Sequence, residues 1–153
     1  RLAICPLINP DWLPELGRLS AAFPATVVAI DHFGRIGVDG LGKVPPVAGT
    51  IAPADVANLT ALARHPMMHV KLSAFYALGK RTAPYDDMIP FIKELLKAYS
   101  PERLMWGSDC PYQLQGGHTY KASISLIRDR LDGISEADRE WLLRKTAERV
   151  FFT

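Results

Sequence analysis

The chain has 153 residues, of which 48% are hydrophobic and 22% are charged, a composition typical of one globular domain with a sizeable buried core. Its 18 basic and 16 acidic side chains leave a formal charge of +2 without a long block of either sign, which argues against a nucleic-acid partner or a membrane surface. Two cysteines without metal-site spacing exclude a disulfide framework, and no apolar run reaches the roughly 18 residues that span a bilayer, so we expect a cytoplasmic protein.

Four short apolar runs predict the strands of a parallel sheet. Runs of this kind are expected when helices cover both faces of the sheet. They comprise residues 2–8, 26–31, 68–73 and 103–108. The first run starts directly after Arg1, without an initiator Met, and we therefore expect the chain to be part of a longer protein.

A helix is predicted after each strand, and a further helix closes the chain. The predicted starts are Asp11 as a cap, a position near Pro53, about Asp86, roughly Tyr120, and Ser135. At the last of these, Asp138 follows Ser135 at close to the spacing of a capping box. The alternation predicts an α/β fold of four parallel βα units plus a C-terminal helix.

The second and fourth strands end in residues suited to chemistry. Asp109 follows the last apolar run and lies between turn-forming residues, while His32 and Arg35 follow the second run. Because the carboxyl ends of parallel strands surround the ligand crevice, we expect Asp109 and His32 to share a pocket. Residues 32–52 contain five glycines and two prolines on the same rim, where they form either part of a lid or only a long surface loop.

Four segments match, in order, the motifs of one known family. They are residues 30–35 (IDHFGR), 70–73 (VKLS), 104–111 (LMWGSDCP) and 146–151 (TAERVF). The chain thereby resembles the amidohydrolase-related (amidohydrolase 2 type) metal-dependent hydrolases of TIM-barrel fold, a group that contains lactonases similar to 2-pyrone-4,6-dicarboxylate lactonase and also decarboxylases. A (β/α)8 barrel needs about 250 residues, and at least about 200. The resemblance therefore implies that residues 1–153 are a single partial domain, strands five to eight of the barrel, with the amino-terminal half missing.

The resemblance also implies roles for two residues. Asp109 corresponds to the aspartate at the end of the eighth strand, which activates water as a general base and, where a metal is bound, also ligates it. His32 corresponds to the histidine at the end of the sixth strand, which is suited to polarising a substrate carbonyl or orienting the water. The structural alternatives are an Asx turn at Asp109 and a ring that only hydrogen-bonds loop backbone at His32.

Four further residues are candidates for substrate binding. Arg35 and Lys71 offer cationic groups to substrate carboxylates, with Lys71 pointing either into the barrel or towards the helix layer. Ser73 and Tyr76 follow the third strand on the same rim, where contact with substrate and solvation as ordinary loop residues both stay open.

The resemblance leaves the metal open. Metal-dependent members of the family have a His-x-His pair at the end of the first strand and a histidine at the end of the fifth. No two of the four histidines here have that spacing, and residues 5–9 contain no histidine. Carboxylate and imidazole ligands favour one zinc or manganese ion, with Asp109 as a ligand, and a metal-free site is the alternative.

The predicted function is hydrolysis of a lactone or a related carboxylated small molecule by the complete barrel, with metal-assisted decarboxylation as the alternative. A thiolate nucleophile at Cys110 with His118 as its base is a competing chemistry. A hypothesis of another class is that the chain is a non-catalytic half barrel, whose open sheet edges pair with the missing amino-terminal half or with another copy of the chain.

Overall fold

The computed structural model describes residues 2–43 and 47–152, in which four strands form one parallel sheet. The strands are β1 (Ala3–Ile4), β2 (Val27–Ile30), β3 (Met68–Leu72) and β4 (Leu104–Trp106), and they lie side by side in chain order. Ile30 is paired with Val70, and Leu72 with Trp106. The carboxyl ends of β2, β3 and β4 therefore meet at one edge of the sheet.

Helices follow the strands as the alternation in the sequence predicts. The first three are α1 (Leu13–Ala22) after β1, α2 (Pro53–Ala61) after β2 and α3 (Ile89–Tyr99) after β3. After β4 come α4 (Tyr120–Ser125), α5 (Glu136–Glu140) and α6 (Thr146–Phe151), and a π-helical turn joins the last two into one C-terminal helix. The predicted α/β fold of four parallel βα units plus a C-terminal helix is confirmed. In the described ranges, no helix is long and apolar enough to cross a membrane.

The two faces of the sheet pack against different layers. Ile30 and Val70 are fully buried in the main core, which also contains the buried side chains of α2 and α3. The residues that alternate with them, such as Ala29 and Met105, form a smaller cluster on the opposite face with Val150 of α6. The strands read as continuous apolar runs because side chains on both faces are covered.

The first strand is shorter than predicted. The sequence predicts it over residues 2–8, whereas only Ala3–Ile4 pairs with a neighbouring strand. Pro6 has no N–H to donate to a ladder, and the strand lies at the edge of the sheet. At this edge the side chains of Leu2 and Leu7 are 94% and 60% exposed.

The two predicted helix caps have different outcomes. Asp11 does not cap α1, because Pro10 begins a 3-10 turn (Pro10–Trp12) that places Asp11 inside the turn, and no side-chain cap bond forms at either start. Ser135 and Asp138 do form a capping box at the start of α5, in which the Asp138 N–H donates to the Ser135 hydroxyl at 3.1 Å. The capping-box prediction is confirmed and the Asp11 prediction is wrong.

Candidate active site

A cavity of about 360 Å³ opens at the carboxyl ends of the strands. Its wall contains four residues that the sequence singles out, namely His32, Arg35, Tyr76 and Asp109. The rest of the wall is mostly apolar and consists of Leu7, Val38, Leu41, Ala74, Ala77, Leu78 and Tyr112. The expectation that Asp109 and His32 share a pocket therefore agrees with the structure.

The carboxylate of Asp109 lies between an imidazole and a phenol. His32 Nε2 is 3.7 Å from Asp109 Oδ1, too far for a hydrogen bond, while the Tyr76 hydroxyl donates to Asp109 Oδ2 at 2.7 Å. Burial and this contact with Asp109 raise the pKa of Tyr76 well above its ordinary value, so the phenol keeps its proton and acts as a donor. The other carboxylate oxygen, Oδ1, is left facing His32 and the cavity.

The ring of His32 is held from its far side by Ser73. His32 Nδ1 and Ser73 Oγ are 2.7 Å apart, and Ser73 itself is buried. Gly107, at the end of β4, lies beside Ser73, and a Cβ there would be in van der Waals contact with the Ser73 Cβ at 3.4 Å. This close packing of β3 against β4 fixes the ring with Nε2 towards Asp109.

The backbone at the site adopts an uncommon conformation. His32, Arg35 and Asp109 have φ angles of 50°, 58° and 52°, in the left-handed region that costs a residue with a side chain about 1–2 kcal/mol. The turn that carries His32 and Arg35 is anchored by Phe33, which is fully buried and contacts the Phe91 ring at a centroid distance of 5.1 Å. Core packing thus holds the turn in a shape that a free loop would rarely adopt.

The two predicted cationic residues are placed differently. Arg35 lines the cavity, and in the described parts of the chain no hydrogen bond or ion pair engages its guanidinium. Lys71 lies on the inner face of the sheet, opposite the main core, and pairs with Asp31 at 2.7 Å. Burial alone would lower the pKa of Lys71, but the hydrogen bond and charge of Asp31, together with a contribution from Cys5, raise the pKa above its ordinary value, so Lys71 stays charged. Neither Lys71 nor Ser73 is on the cavity wall, and their contact with substrate stays a prediction.

The glycine-rich connection after β2 reaches the cavity. Its residues Val38 and Leu41 form part of the wall, which favours the lid interpretation over that of a passive surface loop. Arg81 holds this connection in place by donating to the carbonyl oxygens of Val38 at 3.1 Å and Asp39 at 2.6 Å. Residues 44–46, which contain both prolines of the predicted loop, lie outside the described residues.

The residues that the structure describes do not make up a complete metal site. Within 2–43 and 47–152, no group of three or more histidine, cysteine or acidic side chains could hold one ion. Asp109 and His32 supply an oxygen and a nitrogen donor of the type that zinc accepts, but the Nδ1 atom of His32 is already engaged by Ser73. Any further ligands would have to come from elsewhere, so no reaction step is assigned to a metal.

The competing thiol chemistry finds no support in the contacts of His118. Its Nδ1 atom is hydrogen-bonded to the Tyr85 hydroxyl at 2.8 Å, and Gln113 Nε2 donates to the same hydroxyl at 3.1 Å. Cys110 is exposed on the surface. Sequence reasoning missed the cluster of Tyr85, Gln113 and His118, because Tyr85 is 28 residues from Gln113 and 33 from His118 and no motif connects them.

The fold and the cavity together define an α/β domain of four parallel βα units with a candidate acid–base site at the carboxyl ends of its strands. The profile of the amidohydrolase family ("Amidohydrolase") matches residues 8–153, and the chain belongs to this family. The resemblance carried by the four sequence motifs is thereby confirmed.

Individual relatives carry the names of lactone-cleaving enzymes. The chain is 29% identical over 120 residues to L-fucono-1,5-lactonase from Burkholderia ambifaria, a match that covers 76% of the chain and 37% of that protein. It is 34% identical over 104 residues to 4-sulfomuconolactone hydrolase from Rhizobium radiobacter, which covers 67% of the chain and 31% of that protein. The chain thus matches well under half the length of these curated relatives.

A solved structure is matched over about half of its length. An amidohydrolase from Burkholderia multivorans, crystallised with bound zinc, superposes with a TM-score of 0.76 at 25% identity. The superposition covers 97% of this chain and 51% of that protein. The four βα units therefore correspond to about half of a TIM-barrel amidohydrolase.

Proposed function

We propose that the chain is the carboxyl-terminal half, strands five to eight, of a barrel that hydrolyses a carboxylated lactone, with Asp109 as the general base. The observation that carries the proposal is the distance of 3.7 Å between His32 Nε2 and Asp109 Oδ1 on the wall of one cavity. The names of the two curated relatives, a lactonase and a lactone hydrolase, support the reaction class.

Asp109 and His32 can together carry out the proton transfers and charge stabilisation that lactone hydrolysis needs. Asp109 takes a proton from water while the water oxygen forms a bond to the lactone carbonyl carbon. His32 donates a hydrogen bond from Nε2 to the carbonyl oxygen, where negative charge develops. When the ring C–O bond breaks, the departing oxygen takes the proton back from Asp109, and the products are an alcohol and a carboxylic acid.

Arg35 and Ser73 complete the proposed site. Arg35 binds the substrate carboxylate, since its planar guanidinium can donate two parallel hydrogen bonds to one carboxylate. Ser73 acts through His32, whose Nδ1 atom it contacts, and is therefore a positioning residue. A zinc or manganese ion, if one is used, would take Asp109 as the ligand from this chain and its other ligands from outside the described residues.

The partner of the chain is proposed to be the amino-terminal half of the same barrel. β1 is an edge strand and has a neighbouring strand on one side only. In and beside this strand, Leu2, Ile4 and Leu7 are 94%, 58% and 60% exposed. An unprotected apolar edge of this kind tends to pair with a further strand. A second copy of the chain is the alternative occupant of this edge.

A lactone assay tests these statements together. We call the protein that contains residues 1–153 in nature the natural protein. The natural protein and residues 1–153 alone are each incubated with a panel of carboxylated and neutral lactones. Ring opening is measured as proton release. We expect ring opening of carboxylated lactones by the natural protein and none by residues 1–153 alone. Release of CO₂ without ring opening would replace the proposal by decarboxylation, and equal turnover by residues 1–153 would overturn the half-barrel assignment.

A further inference from the structure

A second cavity of about 740 Å³ adjoins the candidate active site. The two cavities share three wall residues, Leu41, Tyr76 and Tyr112, so a substrate that extends past these side chains enters the second cavity. The charged side chains on the described wall of the second cavity, Lys80 and Arg81, are both basic, and no carboxylate lines it there. The space is therefore suited to an anionic group.

A buried amide that is linked to His118 through the Tyr85 hydroxyl has a fixed orientation. Gln113 is fully buried, and its Nε2 atom donates to the Thr119 carbonyl at 3.3 Å and to the Tyr85 hydroxyl at 3.1 Å. Because a carbonyl oxygen only accepts, the NH₂ group must face Thr119, which excludes the flipped amide. Both hydrogens of Gln113 are used, and the Tyr85 oxygen is an acceptor in this contact.

The hydroxyl of Tyr85 in turn fixes the tautomer of His118. Having accepted from Gln113, the hydroxyl has one hydrogen to donate, and His118 Nδ1 lies 2.8 Å away. Burial raises the pKa of Tyr85, so this hydrogen is retained. His118 Nδ1 is therefore the acceptor, and the neutral ring carries its hydrogen on Nε2. His118 lines the second cavity, and in the described chain no hydrogen bond engages Nε2.

The two cations of the second cavity differ in availability. The guanidinium of Arg81 is engaged by backbone carbonyls of the glycine-rich connection, including those of Val38 and Asp39. The ammonium of Lys80 is on an exposed side chain and makes no ion pair or hydrogen bond within the described residues. Lys80 and the His118 N–H are thus two unused donors on one cavity wall.

We propose that the second cavity binds a second carboxylate, on a side arm of the lactone, held by the Lys80 ammonium and the Nε2–H of His118, while Arg35 in the first cavity binds the other carboxylate. Tyr85 and Gln113 keep His118 in the donor tautomer and act as positioning residues. The proposal rests on the proposed lactone hydrolysis, and it makes His118 and Lys80 specificity-determining residues. A hydrogen bond to a charged acceptor in a partly desolvated site is worth about a 10- to 100-fold change in binding.

Kinetics of the natural protein test the side-arm preference. Two lactones are compared that differ only in a side arm ending in a carboxylate or in the matched primary amide. We expect wild type to favour the carboxylate lactone over the amide lactone in kcat/KM by at least about 10-fold. We expect Lys80→Met and His118→Phe each to reduce this preference, mainly by raising KM for the carboxylate lactone. Lys121→Met, which removes an exposed charge outside both cavities, is the control and should keep the preference. Equal rates on both lactones in wild type would overturn the subsite while leaving the lactonase proposal intact.

Nuclear magnetic resonance tests the tautomer independently of turnover. Long-range ¹H–¹⁵N spectra of the natural protein should show His118 as the Nε2–H tautomer, and glutarate, an unreactive dicarboxylate, should shift its Nε2 signal. Tyr85→Phe should abolish the single tautomer, a change that simple loss of packing would not produce. An Nδ1–H tautomer in wild type, or an Nε2 signal that glutarate at saturation leaves unchanged, would overturn the proposal.

Discussion

At the scale of single residues, Tyr76 is tied most directly to the proposed base. Its hydroxyl donates to Asp109 Oδ2 at 2.7 Å, which fixes the carboxylate and leaves Oδ1 towards His32 and the cavity. The raised pKa of Tyr76, caused first by burial and then by Asp109, keeps this donor protonated throughout the neutral range. A carboxylate that is held by one oxygen can accept a proton on the other without reorienting.

Removal of that hydroxyl should impair the reaction without unfolding the protein. For Tyr76→Phe in the natural protein we expect kcat/KM on a carboxylated lactone to fall by about 10- to 100-fold, because a hydrogen bond to a charged acceptor contributes about 1.5–3 kcal/mol. Tyr120→Phe removes an exposed hydroxyl outside both cavities and serves as the control. An unchanged kcat/KM in Tyr76→Phe would show that the contact has no part in turnover.

Some of the residue-scale site can be read from the sequence, and some cannot. Asp109 and His32 could be placed in one pocket because each follows an apolar strand, and parallel strands bring their carboxyl ends together. The contacts of Ser73 with His32 and of Lys71 with Asp31 depend on the register between strands, which spacing along the chain does not give. His118 could be noticed as a histidine on a flexible loop, but its buried partner lies in a distant segment.

At the scale of elements, one guanidinium binds several carbonyls of the glycine-rich connection, in addition to the hydrogen bonds from Thr50 to Asp39 and from Gly49 to Gly79. Arg81, in the segment after β3, donates to the carbonyl oxygens of Gly37, Val38, Asp39 and Val47. Gly49 packs against the carbonyl of Gly37, where a Cβ would overlap it, so this crossing accepts only glycine. The connection therefore forms a fixed part of the cavity wall at Val38 and Leu41.

Loss of the Arg81 contacts should loosen this element locally. In Arg81→Met we expect backbone amide hydrogen exchange in residues 37–43 and 47–50 to accelerate at least about 10-fold. Loss of one hydrogen bond lowers the free energy of local opening by about 1.4 kcal/mol, which corresponds to this factor. Lys80→Met, at the adjacent exposed position, is the matched control and should exchange like wild type in these residues. Exchange that is unchanged in Arg81→Met, or equally accelerated across the whole sheet, would contradict the local clamp.

At the scale of the whole molecule, the order and class of the elements could be predicted, whereas some of their ends could not. The alternation of apolar runs and amphipathic segments gives four βα units, and all four occur. The predicted strand over residues 2–8 shortens to Ala3–Ile4, since Pro6 has no N–H to donate to the ladder, although its carbonyl accepts from the Asp31 N–H at 3.1 Å. The residue type of Asp11 favours a helix cap, but the preceding Pro10 starts the turn earlier.

The proposed missing half barrel would account for the exposed apolar edge. The chain corresponds to 51% of a Burkholderia multivorans amidohydrolase, and Leu2 and Ile4 of the β1 edge are uncovered. The proposed amino-terminal half would bury this edge and close the cavity on the side that β1 now leaves open. On this account the acid and the imidazole are already arranged within one half, and the other half supplies the remaining walls.

The turnover of Asp109→Asn in the natural protein is the most direct test of the proposed chemistry. The amide keeps the shape of the carboxylate but cannot take a proton from water, so we expect kcat for a carboxylated lactone to fall at least about 100-fold. Circular dichroism should match wild type, and Asp132→Asn, which changes an exposed carboxylate to an amide, should retain full activity. Turnover by a folded Asp109→Asn protein within about twofold of wild type would contradict the assignment of Asp109 as the base.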